Sequence, residues 1–296
     1  MTADSFAPEV APTGRTKLRN RPRGDVLGVV GVHTVLVLFS LLAVLPILFI
    51  VMNSFKTPQG IFGEPFALPN GETFNLQGYE NVFNRGNFVQ NYQNSVIVTV
   101  CTIALTASLG TLAAWGIVEY KVRIGALVAG FFVVGIMLPI RLGTVPLLRM
   151  MKSWALIDTL PALILVYTAM QLPLAVALMV TYFRAVPAEL KEAARIDGAS
   201  ELRTLGITLP IVRVGIAAVA SITMLPVWND LWFPLILAPS KDNQTVTLGV
   251  QQFVGQFQSD YPALLAALTL GAVPLVILFA VFSKQYVAGL SKGYGK

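Results

Sequence analysis

Apolar blocks long enough to cross a lipid bilayer recur along this chain and limit what it can fold into. A spanning helix takes roughly 20 predominantly apolar residues, and such blocks occupy most of the sequence after residue 25. Only 12% of the residues are charged, whereas about a quarter are charged in an ordinary soluble domain. The sequence therefore predicts an all-α, polytopic membrane protein with six transmembrane helices.

The predicted domains follow from these blocks. Residues 1–25 are polar and basic, which predicts a disordered cytoplasmic tail; the apolar run that follows is too long for the core of a signal peptide. Residues 26–296 form the transmembrane domain. Its spans are expected at about 26–52, 95–118, from 124 onward, 160–183, 211–237 and 264–287. The third is interrupted by prolines at 139 and 146, a break tolerated only where it is buried in protein or lines a cavity.

Basic residues predict the orientation of the spans. With six spans and the N-terminus inside, fifteen of the twenty-one Lys and Arg residues face the cytoplasm. The opposite orientation reverses that ratio and conflicts with the positive-inside rule. Both termini are therefore expected to lie on the cytoplasmic side of a cell membrane.

The sequence also excludes several classes of function. The single cysteine, Cys101, excludes an intrachain disulfide and a CxxC metal or redox site, and the single histidine, His33, has no metal-ligand neighbours. No phosphate-binding GxxxxGK[ST] motif and no paired catalytic carboxylates occur. The net charge of +6 comes without a basic patch interleaved with aromatic residues, so no nucleic-acid partner is expected. No enzyme activity, metal or cofactor is predicted for the chain itself.

The longest polar interruption in the apolar half runs from 187 to 210 and predicts two short helices around a hinge. Pro187 suits a first helical position, and Asp197-Gly198 suits a helix end that needs a left-handed backbone. Ser200 can cap the second helix. At helical spacing, Leu190, Ala193 and Ala194 form a face of mostly small residues, and Lys191, Glu192 and Arg195 form another. We interpret this segment as a docking loop.

The stretch EAARIDGAS, followed by ITLP, resembles the EAA loop of ABC importer permeases, in the form found in the maltose-type carbohydrate branch. Further stretches resemble that branch in the same order: Asn94-Ser95, TVPLLRMMKSWALIDTLPALILVY, WNDLWFPLIL and YVAGLSKGYGK. The resemblance covers the chain from about residue 94 to its end. It implies the type I importer permease fold and a subunit that forms the translocation path for a sugar.

The resemblance also implies roles and partners. The loop would couple to a separate ATPase: Glu192 makes a polar contact, Ala193 and Ala194 give a close-packed face, and Gly198 sets the bend. Arg195 and Asp197 belong to the same coupling loop. The implied partners are a second permease, two ATPase subunits that bind ATP and magnesium, an extracellular sugar-binding protein and membrane lipid.

A second cluster lies in the outer part of the predicted fifth span and contains Trp228, Asn229, Asp230, Trp232 and Phe233. Aromatic faces stack on sugar rings, and an ionisable residue within a span is a functional candidate. The alternative is an interfacial aromatic belt with polar ties between helices. Arg141 is a further candidate for the path; it either pairs with Asp158 or Asp230, or extends its charge towards water.

The sequence is also compatible with two other functions. A secondary carrier or channel driven by an ion gradient would tend to show acidic residues deep in its spans and two related halves, and only Asp230 fits. An ABC permease for a non-sugar solute would share the loop but fits the IDGAS and WND stretches less well. Residues 238–261 are expected outside, either meeting the binding protein or serving as a solvated connector.

Overall fold

The computed structural model describes residues 24–85, 87–120, 123–137, 140–255 and 259–293. These residues form the helices α1 (Gly24–Asn53), α2 (Pro58–Gly63), α3 (Gln77–Arg85), α4 (Phe88–Glu119), α5 (Arg123–Met137), α6 (Thr144–Ser153), α7 (Leu160–Arg184), α8 (Ala188–Ile196), α9 (Glu201–Asn229), α10 (Trp232–Leu237), α11 (Val246–Val250) and α12 (Tyr261–Gly293). Short 3₁₀ turns occupy Ile140–Gly143 and Gln251–Phe253. No strand occurs in this described part of the chain, which confirms the all-α prediction.

The long helices agree with a membrane protein. Four segments are long and apolar enough to cross a bilayer: Gly28–Asn53, Phe88–Glu119, Leu160–Arg184 and Glu201–Asn229. The pair Leu127–Met137 and Ile140–Ser153 is bent by 89° and adds a fifth span if it is counted as one. The sixth predicted span falls on α12, whose apolar part ends at Ile277 among the residues searched. Length and composition thus support four or five spans directly, rather than six.

The chain divides into two units between Phe49 and Ile50. Within the first unit, the described residues form the apolar helix α1 as far as Phe49. The tail predicted for residues 1–25 lies outside the described residues, except for Gly24 and Asp25, which belong to α1. The second unit contains the remaining helices.

Helix α4 lies at the centre of the second unit, packed along α7 and against α9. Close approach is possible because Gly110 has no side chain: a Cβ there would lie 3.0 Å from that of Ala175. One apolar cluster surrounds Leu163 and Phe233, and another surrounds Trp115 and Phe183. A third cluster joins α3, α11 and α12. Packing of long apolar helices therefore fixes the positions of the connecting segments.

The prediction of a second short helix ending at Pro210 is wrong. Helix α9 runs without a break from Glu201 to Asn229, with Pro210 inside it. A proline in a helix removes one hydrogen bond to the carbonyl four residues earlier. Four residues before Pro210 lies Gly206, which is exposed. The carbonyl that loses its hydrogen bond therefore belongs to a residue outside the protein core. The docking loop is therefore α8 and the turn to Glu201.

The fifth predicted span, 211–237, also differs from the structure. Helix α9 ends at Asn229, and the short helix α10 begins at Trp232. Asp230 lies in the break with an extended backbone. The interruption predicted in the third span is confirmed, since α5 ends at Met137 and the chain resumes through a 3₁₀ turn into α6.

Candidate functional site

Helix α8 projects between α7 and α9 and has well-defined ends. Pro187 is its N-cap, so α8 begins at Ala188, one position after the predicted first helical residue, and Glu189 lies in its first turn. At the other end Gly198 has a φ of +79°. The amide of Gly198 donates to the carbonyl of Arg195, and the amide of Ala199 donates to that of Ala194, a Schellman arrangement that needs a left-handed residue. The predicted hinge at Gly198 is confirmed.

The two predicted faces of α8 are arranged differently from the expectation. Ala194 is buried against the rest of the chain, whereas Ala193 is exposed. Glu192 is exposed as expected, and Ile196 is 85% exposed beside it. Since residues three and four apart share a helix face, Glu192, Ala193 and Ile196 form a surface that turns away from the bundle. The prediction that Ala193 and Ala194 share one face is wrong.

The basic residues of α8 turn towards the bundle and meet Glu119, the last residue of α4. The Lys191 ammonium lies 2.5 Å from one Glu119 oxygen, and the Arg195 guanidinium lies 2.7 Å from the other. The Glu119 side chain is only 6% exposed. Arg195 also reaches Glu201 at the start of α9, at 3.0 Å. These hydrogen bonds, first to Glu201 and then to Glu119, raise the pKa of the Arg195 guanidinium.

Glu119 was not identified from the sequence. A signal was nevertheless present, because Glu119 is the sole acidic residue in the 32-residue sequence of α4. It also stands at the helix C-terminus, where the dipole favours a positive charge instead. An acidic residue in this position calls for basic partners, and α8 supplies two of them.

Asp230 lies in the break between α9 and α10 and is held on two sides. One carboxylate oxygen of Asp230 accepts two hydrogen bonds. The Tyr167 hydroxyl donates the first at 2.9 Å, and the Phe233 amide donates the second at 3.0 Å. Tyr167 is buried in α7, and Asp230 is half-buried. The carboxylate therefore ties α7 to the first turn of α10. Tyr167 was not identified from the sequence.

Trp232 and Arg141 lie together on the surface of the bundle. The Trp232 indole nitrogen donates to the Thr144 hydroxyl at 3.1 Å, and the Arg141 guanidinium carbon lies 5.8 Å from the centre of the indole ring. That geometry is a cation–π contact, and both side chains are exposed. Within the described residues Arg141 forms no ion pair, so the alternative in which it pairs with Asp158 or Asp230 is wrong. The broken third span and α10 thus meet at one exposed patch.

The other two members of the cluster are separated from this patch. Trp228 is buried, and its indole nitrogen donates to the carbonyl of Gly271 in α12 at 2.9 Å. Asn229 is exposed and donates from its side chain to the carbonyl of Leu225. The predicted residues are therefore not one constellation: Trp228 and Phe233 pack inside, while Asn229 and Trp232 remain accessible.

The segment after α10 is fastened to the start of α4. The Asn94 side-chain amide donates to the carbonyls of Asp242 and Gln244, at 2.8 and 2.9 Å. The Ser95 hydroxyl accepts a hydrogen bond from the amide of Val246. Asp158 holds the same segment from the α6–α7 turn, since its carboxylate accepts the amide of Ser240. Within the part of the chain that the structure describes, no group of three His, Cys, Asp or Glu side chains could hold a metal ion.

Comparison with known proteins identifies relatives over most of the chain. Residues 106–292 match the family described as binding-protein-dependent transport system inner membrane component. The diacetylchitobiose uptake system permease protein NgcG of Streptomyces coelicolor is 32% identical over 264 residues, covering 88% of this chain and 87% of the relative. The trehalose transport system permease protein SugB of Mycobacterium tuberculosis is 28% identical, covering 85% and 92%.

A solved structure shares the fold. It is a bacterial ABC transporter involved in the import of the acidic polysaccharide alginate, and one of its chains superposes with a TM-score of 0.78 at 19% identity. The superposition covers 89% of this chain and 98% of the other. Because the sequence identity is only 19%, the superposition shows a shared arrangement of helices and nothing further.

Proposed function

The chain belongs to the family of binding-protein-dependent transport system inner membrane components, and we propose that it is one of two membrane-spanning subunits of an ATP-driven importer for a carbohydrate. The observation that carries the proposal is α8, an exposed helix between two spans that presents Glu192, Ala193 and Ile196 away from the bundle. The names of the two relatives, which take up diacetylchitobiose and trehalose, support a sugar as the solute.

Energy enters this importer through a partner, because the sequence contains no phosphate-binding loop of its own. Two ATPase subunits hold ATP and magnesium, and each permease receives their movement through a helix such as α8. Glu192 makes the polar contact at that interface, and Ala193 allows close approach. Gly198 sets the angle at which α8 leaves the bundle. Ala194, Arg195 and Asp197 hold the helix in place from its inner face and its end.

The sugar path in this subunit uses the exposed patch formed by Trp232 and Arg141, and the exposed side chain of Asn229 at the end of α9. An indole face stacks on the apolar face of a sugar ring, and the amide and guanidinium groups can bond to hydroxyls. Asp230 supports the patch through its bonds to Tyr167 and Phe233. Trp228 stabilises the contact between α9 and α12 instead of touching the solute.

The proposed topology places α8 in the cytoplasm and the segment 238–245 outside the cell membrane. The distribution of basic residues supports it, as does the docking role of α8. The outer segment, held by Asn94 and Asp158, meets a sugar-loaded binding protein there. Solute and energy therefore arrive at opposite ends of the same helices.

Reconstitution in proteoliposomes tests the proposal. The chain is incorporated with its second permease and its ATPase, and uptake of radiolabelled diacetylchitobiose, trehalose and glucose is measured with the binding protein outside. We expect uptake of at least one sugar only when the ATPase, magnesium and ATP are all present. Uptake by the chain alone, driven by a proton or sodium gradient, would establish the secondary-carrier alternative.

A further inference from the structure

The ion pairs between α8 and α4 converge on one carboxylate, that of Glu119. Both oxygens of Glu119 are occupied, one by Lys191 at 2.5 Å and the other by Arg195 at 2.7 Å. The Lys191 side chain is 12% exposed and that of Glu119 is 6% exposed. The Lys191–Glu119 pair is thus largely removed from water. A buried charge pair is screened much less than a pair at the surface. Removal of the Glu119 charge leaves the largely buried ammonium of Lys191 without its ion-pair partner.

Arg195 is shared between two helices. It reaches Glu119 at the end of α4 and Glu201 at the start of α9. Its contact with Glu201 lies at the surface, since the Glu201 side chain is 41% exposed. The contacts at Glu119 are the more shielded ones, and they tie α8 to the end of α4.

Helix α4 is suited to carry a displacement over a long distance. It is continuous from Phe88 to Glu119 with no proline inside, and it packs along α7 and α9. The 26 residues from Asn94 to Glu119 span about 37 Å at the usual helical rise of about 1.5 Å per residue. At the far end Asn94 holds the backbone of Asp242 and Gln244. One rigid element thus has the α8 contact at one end and the proposed binding-protein segment at the other.

We propose that Glu119 is a positioning residue that joins α8 to α4, so that a movement of either one reaches the opposite end of the bundle. The inference rests on the proposed function, because it takes α8 as the ATPase contact and residues 238–245 as the outer segment. Through Glu119, the movement caused by docking of a sugar-loaded binding protein then reaches the ATPase that hydrolyses ATP. It does so without touching the sugar or the nucleotide.

Purified complexes carrying Glu119→Gln test this role. Glutamine keeps the shape of the side chain but removes the charge that Lys191 and Arg195 neutralise. We expect the ATPase to co-purify and its basal hydrolysis to stay near the wild-type rate, because the outward face of α8 is untouched. Stimulation of hydrolysis by sugar-loaded binding protein should fall about tenfold, within the usual range of coupling between two sites.

Two further variants separate positioning from folding. Glu201→Gln removes the other carboxylate partner of Arg195 and should keep stimulation near the wild-type value. The double variant Glu119→Lys/Lys191→Glu restores opposite charges between these two positions while Arg195 then faces a lysine, so it should recover part of the stimulation that Glu119→Lys alone loses. A Glu119→Gln complex stimulated as strongly as the wild type would overturn the proposal, and so would a double variant no better than Glu119→Lys. If the wild-type complex itself showed no stimulation, the proposed function would have failed instead.

Discussion

The hydroxyl of Tyr167 donates a hydrogen bond to the carboxylate of Asp230, with 2.9 Å between the two oxygens. The bond joins the middle of α7 to the break between α9 and α10, 63 positions further along the chain. The same carboxylate oxygen accepts the amide of Phe233 and so begins α10. Asp230 is therefore a structural anchor beneath the exposed patch at Trp232.

Replacing Tyr167 with phenylalanine should destabilise the protein with little change in the volume of its core. A hydrogen bond to a charged group contributes roughly 1.5–3 kcal/mol, and the Asp230 oxygen would keep only the Phe233 amide. We expect a lower midpoint of thermal unfolding in detergent, followed by tryptophan fluorescence. Tyr182→Phe is the matched control, because its hydroxyl has no hydrogen-bond partner in the described chain. Equal midpoints for both variants would show that the Tyr167–Asp230 bond contributes nothing.

Trp232→Ala should lower sugar uptake and leave assembly intact. The ring is exposed, and it contributes a stacking surface beside Arg141 rather than core packing. The measurement is uptake in proteoliposomes at equal amounts of assembled complex. Trp154→Ala is the control, since Trp154 is exposed outside the patch. If the two variants transport sugar equally well, Trp232 is a surface residue outside the path.

The features that the sequence predicted well depend on local physics. Apolar runs of spanning length form α1, α4 and α7, because a backbone in hydrocarbon must satisfy its own hydrogen bonds and a helix does so within one segment. Gly198 has the left-handed backbone that its place after a polar helix required. The break in the third span followed from its prolines and Arg141. Each of these conclusions needed only neighbours close in sequence.

The features that the sequence did not predict depend on contacts between distant positions. Glu119 and Lys191 are 72 residues apart, and nothing local indicates that they meet. Trp228 was grouped with Trp232 by proximity in sequence, but the helix ends between them, so one ring points to α12 and the other to the surface. Pro210 was taken as a helix boundary, whereas tertiary packing carried α9 through it.

Two engineered cysteines should report the topology of the protein in the membrane. In a Cys101→Ala background, Ser200→Cys should react with impermeant thiol reagents only from the cytoplasmic side, and Lys241→Cys only from outside. Both positions are exposed. Asn243 is a poorer outer site because its side chain donates to the carbonyl of Asp158. The measurement compares thiol labelling in whole cells, which expose the outer side, with labelling in inverted vesicles, which expose the cytoplasmic side. The reverse pattern would contradict the cytoplasmic position of α8.

The central claim is that α8 couples this permease to an ATPase, and two substitutions address it. Glu192→Ala removes an exposed carboxylate with little effect on folding, yet truncating one partner of a desolvated charge pair at an interface costs about 2–5 kcal/mol. Gly198→Val forces a β-branched residue into a left-handed backbone, where even unbranched residues lose about 1–2 kcal/mol. No atom lies within 4 Å of the added Cβ, so the effect is on the angle of α8. Gly198→Asn is the control, because asparagine tolerates that backbone.

The most direct measurement is co-purification of the ATPase together with sugar-stimulated ATP hydrolysis, in membranes containing each variant. We predict that Glu192→Ala and Gly198→Val insert and pair with the second permease normally, but lose the ATPase and the stimulated hydrolysis together, while Gly198→Asn retains both. Full retention of the ATPase and of normal stimulated hydrolysis by Glu192→Ala and Gly198→Val would contradict the claim that α8 is the coupling element.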